Sequence, residues 1–299
     1  MKHGIKITAI LLGMFVVTQF IGLFVLNHYV VQGNPLPYGM EPPEINTNAE
    51  YISLFPFIVL AFVIAITIMF FLSKLNWEFF LKAWFFIVVT IALGLSFNVL
   101  LTKLQYASLM ALIIALPLAY IKIYKQNFFV HNITELFIYP GIASVFVPLL
   151  NVWTIIALLI LISAYDMWAV WHSGFMQKMA MYQIQKLNVF SGFFVPHATK
   201  KMKEKIKKMK QTFTKEQLKK KKIKVNIAIL GGGDVIFPII TAGVMLKSFG
   251  IYHALFVIAG ATLGLTYLFL RSEKKKFYPA MPFITAGIFI GMILGYFIL

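Results

Sequence analysis

The sequence predicts an all-α membrane protein whose chain crosses the bilayer nine times. The 299 residues are 60% hydrophobic and only 12% charged, and the mean hydropathy is +0.84, so the apolar surface exceeds what one soluble core can bury. Nine apolar runs approach the ~20 residues that a helix needs to span a membrane. The lysines lie mainly between these runs, at positions that agree with a single orientation in the membrane.

The nine predicted helices follow one another along the chain. Pro117 interrupts the fourth run and Pro140 the fifth, but such breaks are tolerated where neighbouring helices cover the backbone. The predicted helices occupy residues 5–26, 51–73, 79–101, 105–122, 133–149, 152–171, 225–247, 251–270 and 279–299.

Three parts of the chain follow from this division. Residues 1–171 hold helices 1 to 6, residues 172–224 form a basic loop, and residues 225–299 hold helices 7 to 9. The first part of the loop, 174–196, mixes aromatic and aliphatic residues with few lysines, which is typical of a segment at the membrane interface. The second part, 200–224, is dominated by lysine, and we expect it to be solvated and close to anionic headgroups.

The lysines predict that the N-terminus is cytoplasmic and the C-terminus is outside. With nine spans, lysines fall on one side before helix 1, between helices 2 and 3, after helix 4 and, most densely, after helices 6 and 8. The lysines after helix 4 are Lys122 and Lys125. The other side carries two lysines against three glutamates, namely Lys103 and Lys247 against Glu41, Glu44 and Glu50. This pattern explains the net charge of +17 by topology, so we do not expect nucleic-acid binding.

The only two aspartates of the chain both lie in predicted helices, Asp166 in helix 6 and Asp234 in helix 7. An ionised side chain in the bilayer costs roughly 2.5 to 3.5 kcal/mol on insertion scales, so each aspartate is a functional hypothesis by default. The two helices run in opposite directions. This places Asp166 ~8 Å and Asp234 ~15 Å from the cytoplasmic ends if both runs are helical throughout. We therefore expect the two carboxyls to lie at depths where they can meet.

Two carboxyls in a low-dielectric site cannot both ionise easily, so such a pair holds one proton between them. The ionised member can take a proton from water as the water attacks a peptide carbonyl, while the protonated member donates to the carbonyl oxygen. This chemistry needs no metal, cofactor or nucleophilic side chain. The residues alone leave an alternative open: a channel or transporter in which the two aspartates bind a cation or proton in transit.

Two unusual stretches accompany the aspartates. Residues 231–233 are three glycines, and their bare backbone would let a second chain approach Asp234 or pair there as an added strand. The stretch 278–282, YPAMP, has two prolines three residues apart, which prevents a regular helical start at the head of helix 9. By topology this irregular segment arrives near the depth of the aspartates.

At these residues the chain resembles the presenilin and signal peptide peptidase family of intramembrane aspartyl proteases. Three motifs carry the resemblance, in the order and spacing of the family's YD, GxGD and PAL signatures. They are Tyr165-Asp166 in helix 6, Gly231-Gly232-Gly233-Asp234 in helix 7 and Pro279-Ala280-Met281 at the head of helix 9. The closest likeness is to the compact archaeal presenilin homologues.

The resemblance implies a presenilin-like fold of nine helices and an aspartic endopeptidase that cuts single-span membrane proteins within their transmembrane segments. It implies that Asp166 and Asp234 are the catalytic pair, without metal, cofactor or obligatory partner subunits, in an archaeal cell membrane. The residues expected to shape the site and bind substrate are Tyr165, Gly231, Gly232, Gly233, Pro279, Ala280 and Met281. Met281 departs from the usual leucine, but the two side chains have similar volumes.

Other classes fit less well. A serine protease would need a GxSG-type turn, yet Ser173-Gly174 and Ser191-Gly192 lack the leading glycine and lie in the loop. A zinc protease would need clustered ligands, but the six histidines are scattered without ligand spacing, and the absence of cysteine removes thiolates. Against a transporter, the two halves show no paired broken helices, and we expect no further acidic residue along a path across the membrane.

Overall fold

A computed structural model describes residues 4–45, 47–75, 77–125, 127–173, 190–197, 226–273 and 278–299. Within these ranges nine helices are long and apolar enough to cross a membrane, which confirms the predicted fold class of an integral multi-pass membrane protein. The helices are α1 (Ile5–Leu26), α2 (Asn48–Lys74), α3 (Glu78–Leu100), α4 (Ala107–Tyr120), α5 (Phe128–Phe146), α6 (Val152–Trp168), α7 (Gly232–Phe249), α8 (Ile251–Arg271) and α9 (Met281–Ile298).

Polar residues at helix ends explain where several boundaries differ from the prediction. Helix α5 begins at Phe128 rather than at residue 133, because the Asn127 side chain accepts hydrogen bonds from the N–H groups of Phe129 and Val130. The polar residues His131 and Asn132 lower the hydropathy at the beginning of this helix, which hides its start. Helix α6 begins with a capping box in which Asn151 and Thr154 satisfy each other's backbone N–H groups.

The largest difference concerns the seventh apolar run. The sequence predicts a helix from residue 225, but the structure has a β-strand, β2 (Asn226–Gly231), and α7 begins only at Gly232. Strand β2 pairs antiparallel with β1 (Gly192–His197). Consecutive glycines disfavour a helix at this point, and the run before them suits a strand.

Strand β1 corrects the prediction for part of the basic loop. Phe193 was expected at the membrane interface, but its side chain is completely buried in the main hydrophobic core, with Val195 nearly so. Residues 174–189 and 198–225 lie outside the described residues, so the prediction of an interfacial and a solvated part stays untested there.

Helix α7 occupies the centre of the molecule. It contacts α1, α5, α6 and α8, and 61% of its membrane-spanning window is buried, the largest share of any span in the described chain. Helix α2 is its opposite, since none of its window is buried and it makes only sparse contacts with α3 and α6.

Glycines bring α8 and α9 into close contact, as the four-residue spacing of glycines along α9 predicts. A Cβ atom added to Gly287 would lie 2.1 Å from the carbonyl oxygen of Gly260, and one added to Gly291 would lie 2.2 Å from that of Phe256. Small residues of this kind let helix backbones approach closely in a membrane. The pair fixes the start of α9, which is part of the candidate site.

Candidate active site

Asp166 lies in the last turn of α6 and is only 3% exposed. The backbone N–H of Met281 donates a hydrogen bond of 3.0 Å to its Oδ2 atom. The other carboxyl oxygen, Oδ1, is buried and has no hydrogen-bond partner within the described residues. One oxygen is therefore fixed by the backbone, while the other has no hydrogen-bond partner that fixes it in the described chain.

The start of α9 is suited to hold this carboxyl. The first N–H groups of a helix have no partner inside the helix and favour a negative charge. Pro282 follows Met281 in the first turn, where its missing N–H costs nothing. A hydrogen bond of 2.8 Å from Ser163 Oγ to Thr285 Oγ1 ties α6 to α9 close to Asp166. The YPAMP sequence thus delivers a backbone donor to the aspartate.

Asp234 lies in the first turn of α7, and its residue is half-buried. Its carboxyl folds back toward Gly231, whose position for a Cβ atom would be 3.2 Å from Oδ2. The charge of Asp166 acts on the carboxyl of Asp234. Because α7 begins at Gly232, Asp234 is not ten residues inside a continuous helix, so the depth of ~15 Å, which assumed such a helix, does not apply.

The three glycines before Asp234 have different surroundings. Gly232 is buried, and a Cβ atom there would lie 2.7 Å from Ser191 Oγ and 2.8 Å from Tyr139 Oη. Gly233 is exposed, and the nearest atom to its Cβ position is 3.8 Å away. The bare backbone therefore serves packing at Gly232 and leaves open space at Gly233.

The family model described as "Signal-peptide peptidase, presenilin aspartyl protease" matches residues 12–299. This match covers nearly the whole chain. The protein belongs to the signal peptide peptidase and presenilin family of aspartyl proteases. None of the curated proteins matches the chain.

Two solved structures of a presenilin family intramembrane aspartate protease share the fold of this family member. The structure in the P2 space group has a TM-score of 0.61 and 17% sequence identity, and the match covers 97% of each chain. The structure in the C222 space group has a TM-score of 0.59 and 16% identity, over 98% of this chain and 99% of the other. At these identities the likeness concerns the fold.

The remaining predicted residues of this presenilin-family protein lie around the aspartates. Tyr165 is half-buried beside Trp168, with ring centroids 6.3 Å apart. Pro279 is buried and Ala280 half-buried just before α9, and Met281 is 3% exposed. Met281 contacts Asp166 through its backbone, so the replacement of leucine by methionine leaves this hydrogen bond unaffected.

Sequence reasoning missed Gln19 and Tyr139, two polar side chains near the site. Gln19 on α1 is completely buried, and its Nε2 donates to the carbonyl of Val235, the residue after Asp234, at 3.1 Å. Tyr139 on α5 is buried against Gly232 and lies 3.5 Å from Ser191 Oγ. A lone glutamine in an apolar run was the available signal for Gln19.

A buried ion pair corrects one further expectation. Lys122, predicted at the cytoplasmic surface, is only 5% exposed, and its Nζ lies 2.5 Å from Oε1 of Glu135 on α5. Glu135 is itself 1% exposed. Each charge offsets the other where water is excluded. Because Glu135 is paired with Lys122, it has a structural role and does not form part of a path for ions across the membrane.

The described residues contain no group of three His, Asp or Glu side chains arranged to hold a metal ion.

Proposed function

We propose that this protein is an intramembrane aspartic endopeptidase in which Asp166 and Asp234 activate water to hydrolyse peptide bonds within transmembrane segments. The observation that carries the proposal is the asymmetric setting of Asp166. A backbone N–H at 3.0 Å holds one oxygen, the other oxygen is buried without a hydrogen-bond partner in the described residues, and Asp234 lies within electrostatic range.

The proposed reaction needs one proton on the carboxyl pair. In this scheme Asp166, which accepts the backbone N–H of Met281, is the ionised member and Asp234 is the protonated one. Asp166 takes a proton from water, the water oxygen bonds to the scissile carbonyl carbon, and Asp234 gives its proton to the carbonyl oxygen. Asp166 then gives the proton it took from water to the leaving nitrogen, the carbon–nitrogen bond breaks, and a hydroxyl of the tetrahedral intermediate returns a proton to Asp234. The products are a carboxylic acid and an amine.

The substrate must be extended at the cut, because a helix shields its own carbonyls. Strand β2 leads directly into Asp234, Ile229 is 39% exposed, and β1 is its only strand neighbour in the described chain. These features support pairing of an unwound substrate segment with the outer edge of β2. Single-span membrane proteins are the proposed substrates, and no partner subunit is proposed.

Matched isosteric variants test the proposal. The purified protein in liposomes is mixed with a single-span reporter, and cleavage is followed for wild type, Asp166→Asn and Asp234→Asn. Each variant keeps the side-chain size but removes the acid–base function, which contributes about 10²- to 10⁴-fold to such reactions. We expect cleavage to fall by that factor with an unchanged Tm.

The same liposomes distinguish the channel or transporter hypothesis. If ion flux depends on both aspartates while wild type leaves the reporter intact, the protease proposal is wrong. A second measurement is the pH profile of cleavage. The rate should fall at low pH, where both carboxyls are protonated, and again at high pH, where both are ionised, because only the singly protonated pair reacts.

A further inference from the structure

Two side chains of helix α5 hydrogen-bond to the edge of strand β1 that faces away from β2. Asn132 Nδ2 donates to the carbonyl of Phe194 at 3.1 Å, and Asn132 Oδ1 accepts from the N–H of the same residue at 3.2 Å. His131 Nε2 lies 2.8 Å from the carbonyl oxygen of Gly192. These side chains take the hydrogen bonds that a third strand would otherwise make with β1.

The register shows which edge of the hairpin remains for pairing. In an antiparallel pair, opposite residues point their N–H and C=O groups either toward each other or both outward. Gly192 and Phe194 bond to α5, so they point outward, and so do their partners Gly231 and Ile229. The bond from Gly232 N–H to the Ser191 carbonyl at 3.3 Å agrees with this alternation. The outward groups of β2 therefore lie on the opposite edge and end beside Asp234.

The buried ion pair of Lys122 and Glu135 determines which ring nitrogen of His131 carries the proton. Lys122 Nζ lies 2.5 Å from Glu135 Oε1 and 3.1 Å from His131 Nδ1. An ammonium group can only donate, so Nδ1 must accept, and the ring proton of a neutral imidazole then sits on Nε2. Nε2 is the atom that faces the Gly192 carbonyl, and it is now a donor. The ion pair thus orients the histidine toward the hairpin.

This arrangement has no part in the chemistry proposed for the aspartates. Lys122 and Glu135 are 5% and 1% exposed, and two charges buried in the membrane region are costly to maintain. Their contacts lead through His131 to β1, and from β1 across the register to β2 and Asp234.

We propose that His131 and Asn132 are positioning residues, which close the outer edge of β1 and fix the hairpin so that β2 presents its edge to the substrate. The ion pair of Lys122 and Glu135 supports them by holding the imidazole tautomer. The role in setting the substrate register rests on the proposed proteolytic function, whereas the anchoring of the hairpin does not.

Hydrogen exchange in the resting protein tests the anchoring without any substrate. The comparison is between Asn132→Ala and Asn127→Ala, since Asn127 is the same residue type at the N-cap of the same helix, and in the described chain its side chain bonds only to the N–H groups of Phe129 and Val130. We expect the peptide that covers β1 to exchange about tenfold faster or more in Asn132→Ala than in Asn127→Ala, because local opening becomes easier. Equal exchange in the two variants would overturn the proposal.

Cleavage products test the register. We expect Asn132→Ala to lower kcat/KM by about 10- to 100-fold, the size that misplacement of reacting groups produces. We also expect it to spread cleavage over neighbouring peptide bonds, as measured by mass spectrometry of the reporter fragments. If Asn132→Ala only destabilised the fold, cleavage would be slower but the same peptide bond would be cut.

The outcomes separate the two proposals. If wild type does not cleave, the proposed function fails while the exchange experiment still decides the anchoring. If wild type cleaves and Asn132→Ala keeps both the rate and the cut position of Asn127→Ala, the positioning role is refuted. Should the alanine variant not fold, Asn132→Asp takes its place in both experiments, because it keeps the size and the acceptor but places an oxygen against the Phe194 carbonyl.

Discussion

Substituting the glycines before Asp234 one at a time separates folding from substrate access. In Gly232→Ala the new methyl would meet Ser191 Oγ at 2.7 Å and Tyr139 Oη at 2.8 Å, so we expect a loss of about 1 to 3 kcal/mol from overpacking. In Gly233→Ala the nearest atom is 3.8 Å away, and alanine favours the first turn of α7, so the Tm should not fall. Thermal unfolding in detergent measures both.

The reporter assay completes this comparison. A loss of cleavage in Gly233→Ala at an undiminished Tm would place substrate at the exposed side of the glycine run. If Gly232→Ala and Gly233→Ala unfold at the same temperature, the crowding described around Gly232 does not limit stability.

Single residues were predictable where their chemistry conflicts with an apolar run. Asp166 and Asp234 stand out for this reason, and Glu135 could have been found in the same way. The partners could not, because they lie far apart in the chain: Asn132 and Phe194 are 62 residues apart, and Gln19 and Val235 are 216 apart. Lys122 lies near a predicted helix end, where lysines usually mark the cytoplasmic side, so its position gave no sign of the ion pair with Glu135.

At the scale of elements, an engineered disulfide can lock the hairpin. Phe194 and Ile229 are opposite residues whose hydrogen-bonding groups point outward, a pair type with Cα atoms ~4.5 Å apart, within disulfide range. The chain has no cysteine, so in the double variant Phe194→Cys with Ile229→Cys only the introduced pair can form an intramolecular disulfide. If the hairpin stays formed through turnover, the double variant cleaves the reporter at the same rate with and without reductant.

Each single-cysteine variant controls for the loss of the side chain itself. An oxidised double variant that is inactive and recovers on reduction would mean that the strands must separate during catalysis.

The contact between α8 and α9 should be intolerant of side chains. In Gly287→Val the first added carbon would lie 2.1 Å from the Gly260 carbonyl oxygen, so the helices must move apart. We expect a destabilisation of about 1 to 3 kcal/mol, since overpacking has costs of this size. Gly13→Val is the matched control, because Gly13 on α1 has no atom within 4 Å of its Cβ position. Equal Tm values for the two variants would contradict the close packing.

Apolar composition predicted the existence of the elements better than their type. A short buried strand and a piece of buried helix have the same hydropathy, so hydropathy predicts one helix for the run from residue 225. The glycines at 231–233 marked the point of change, but they are equally compatible with a kinked helix. Pairing with a strand more than thirty residues upstream decided the outcome, and hydropathy contains no information about such pairing.

At the scale of the whole molecule, the lysine pattern predicts which side of the membrane each loop occupies. Glu44 and Lys125 are both exposed, and they lie on opposite sides in the predicted topology. With no native cysteine to interfere, a membrane-impermeant thiol reagent applied to intact cells should label Glu44→Cys. Lys125→Cys should react only after the membrane is permeabilised, and the reverse pattern would show that the orientation is inverted.

The number of spans could be predicted because each needs a long apolar run, and nine such runs are present. How the spans surround α7 could not, since helices inside a bilayer are apolar on all sides and carry little facial pattern. The glycines of α9 were the exception, because their four-residue spacing identifies a contact face.

Salt should screen some lysine charges of this protein more than others. Mobile ions screen exposed charges over ~10 Å at 0.1 M ionic strength, but they act much less on charges enclosed by protein. Lysines of residues 200–224, predicted to lie near anionic headgroups, would lose their attraction to lipid as salt rises. Lys122, which is buried in contact with Glu135, would keep its ion pair. If residues 200–224 lie on the bilayer as predicted, their attachment would weaken as salt rises, whereas the ion pair that contacts His131 would not.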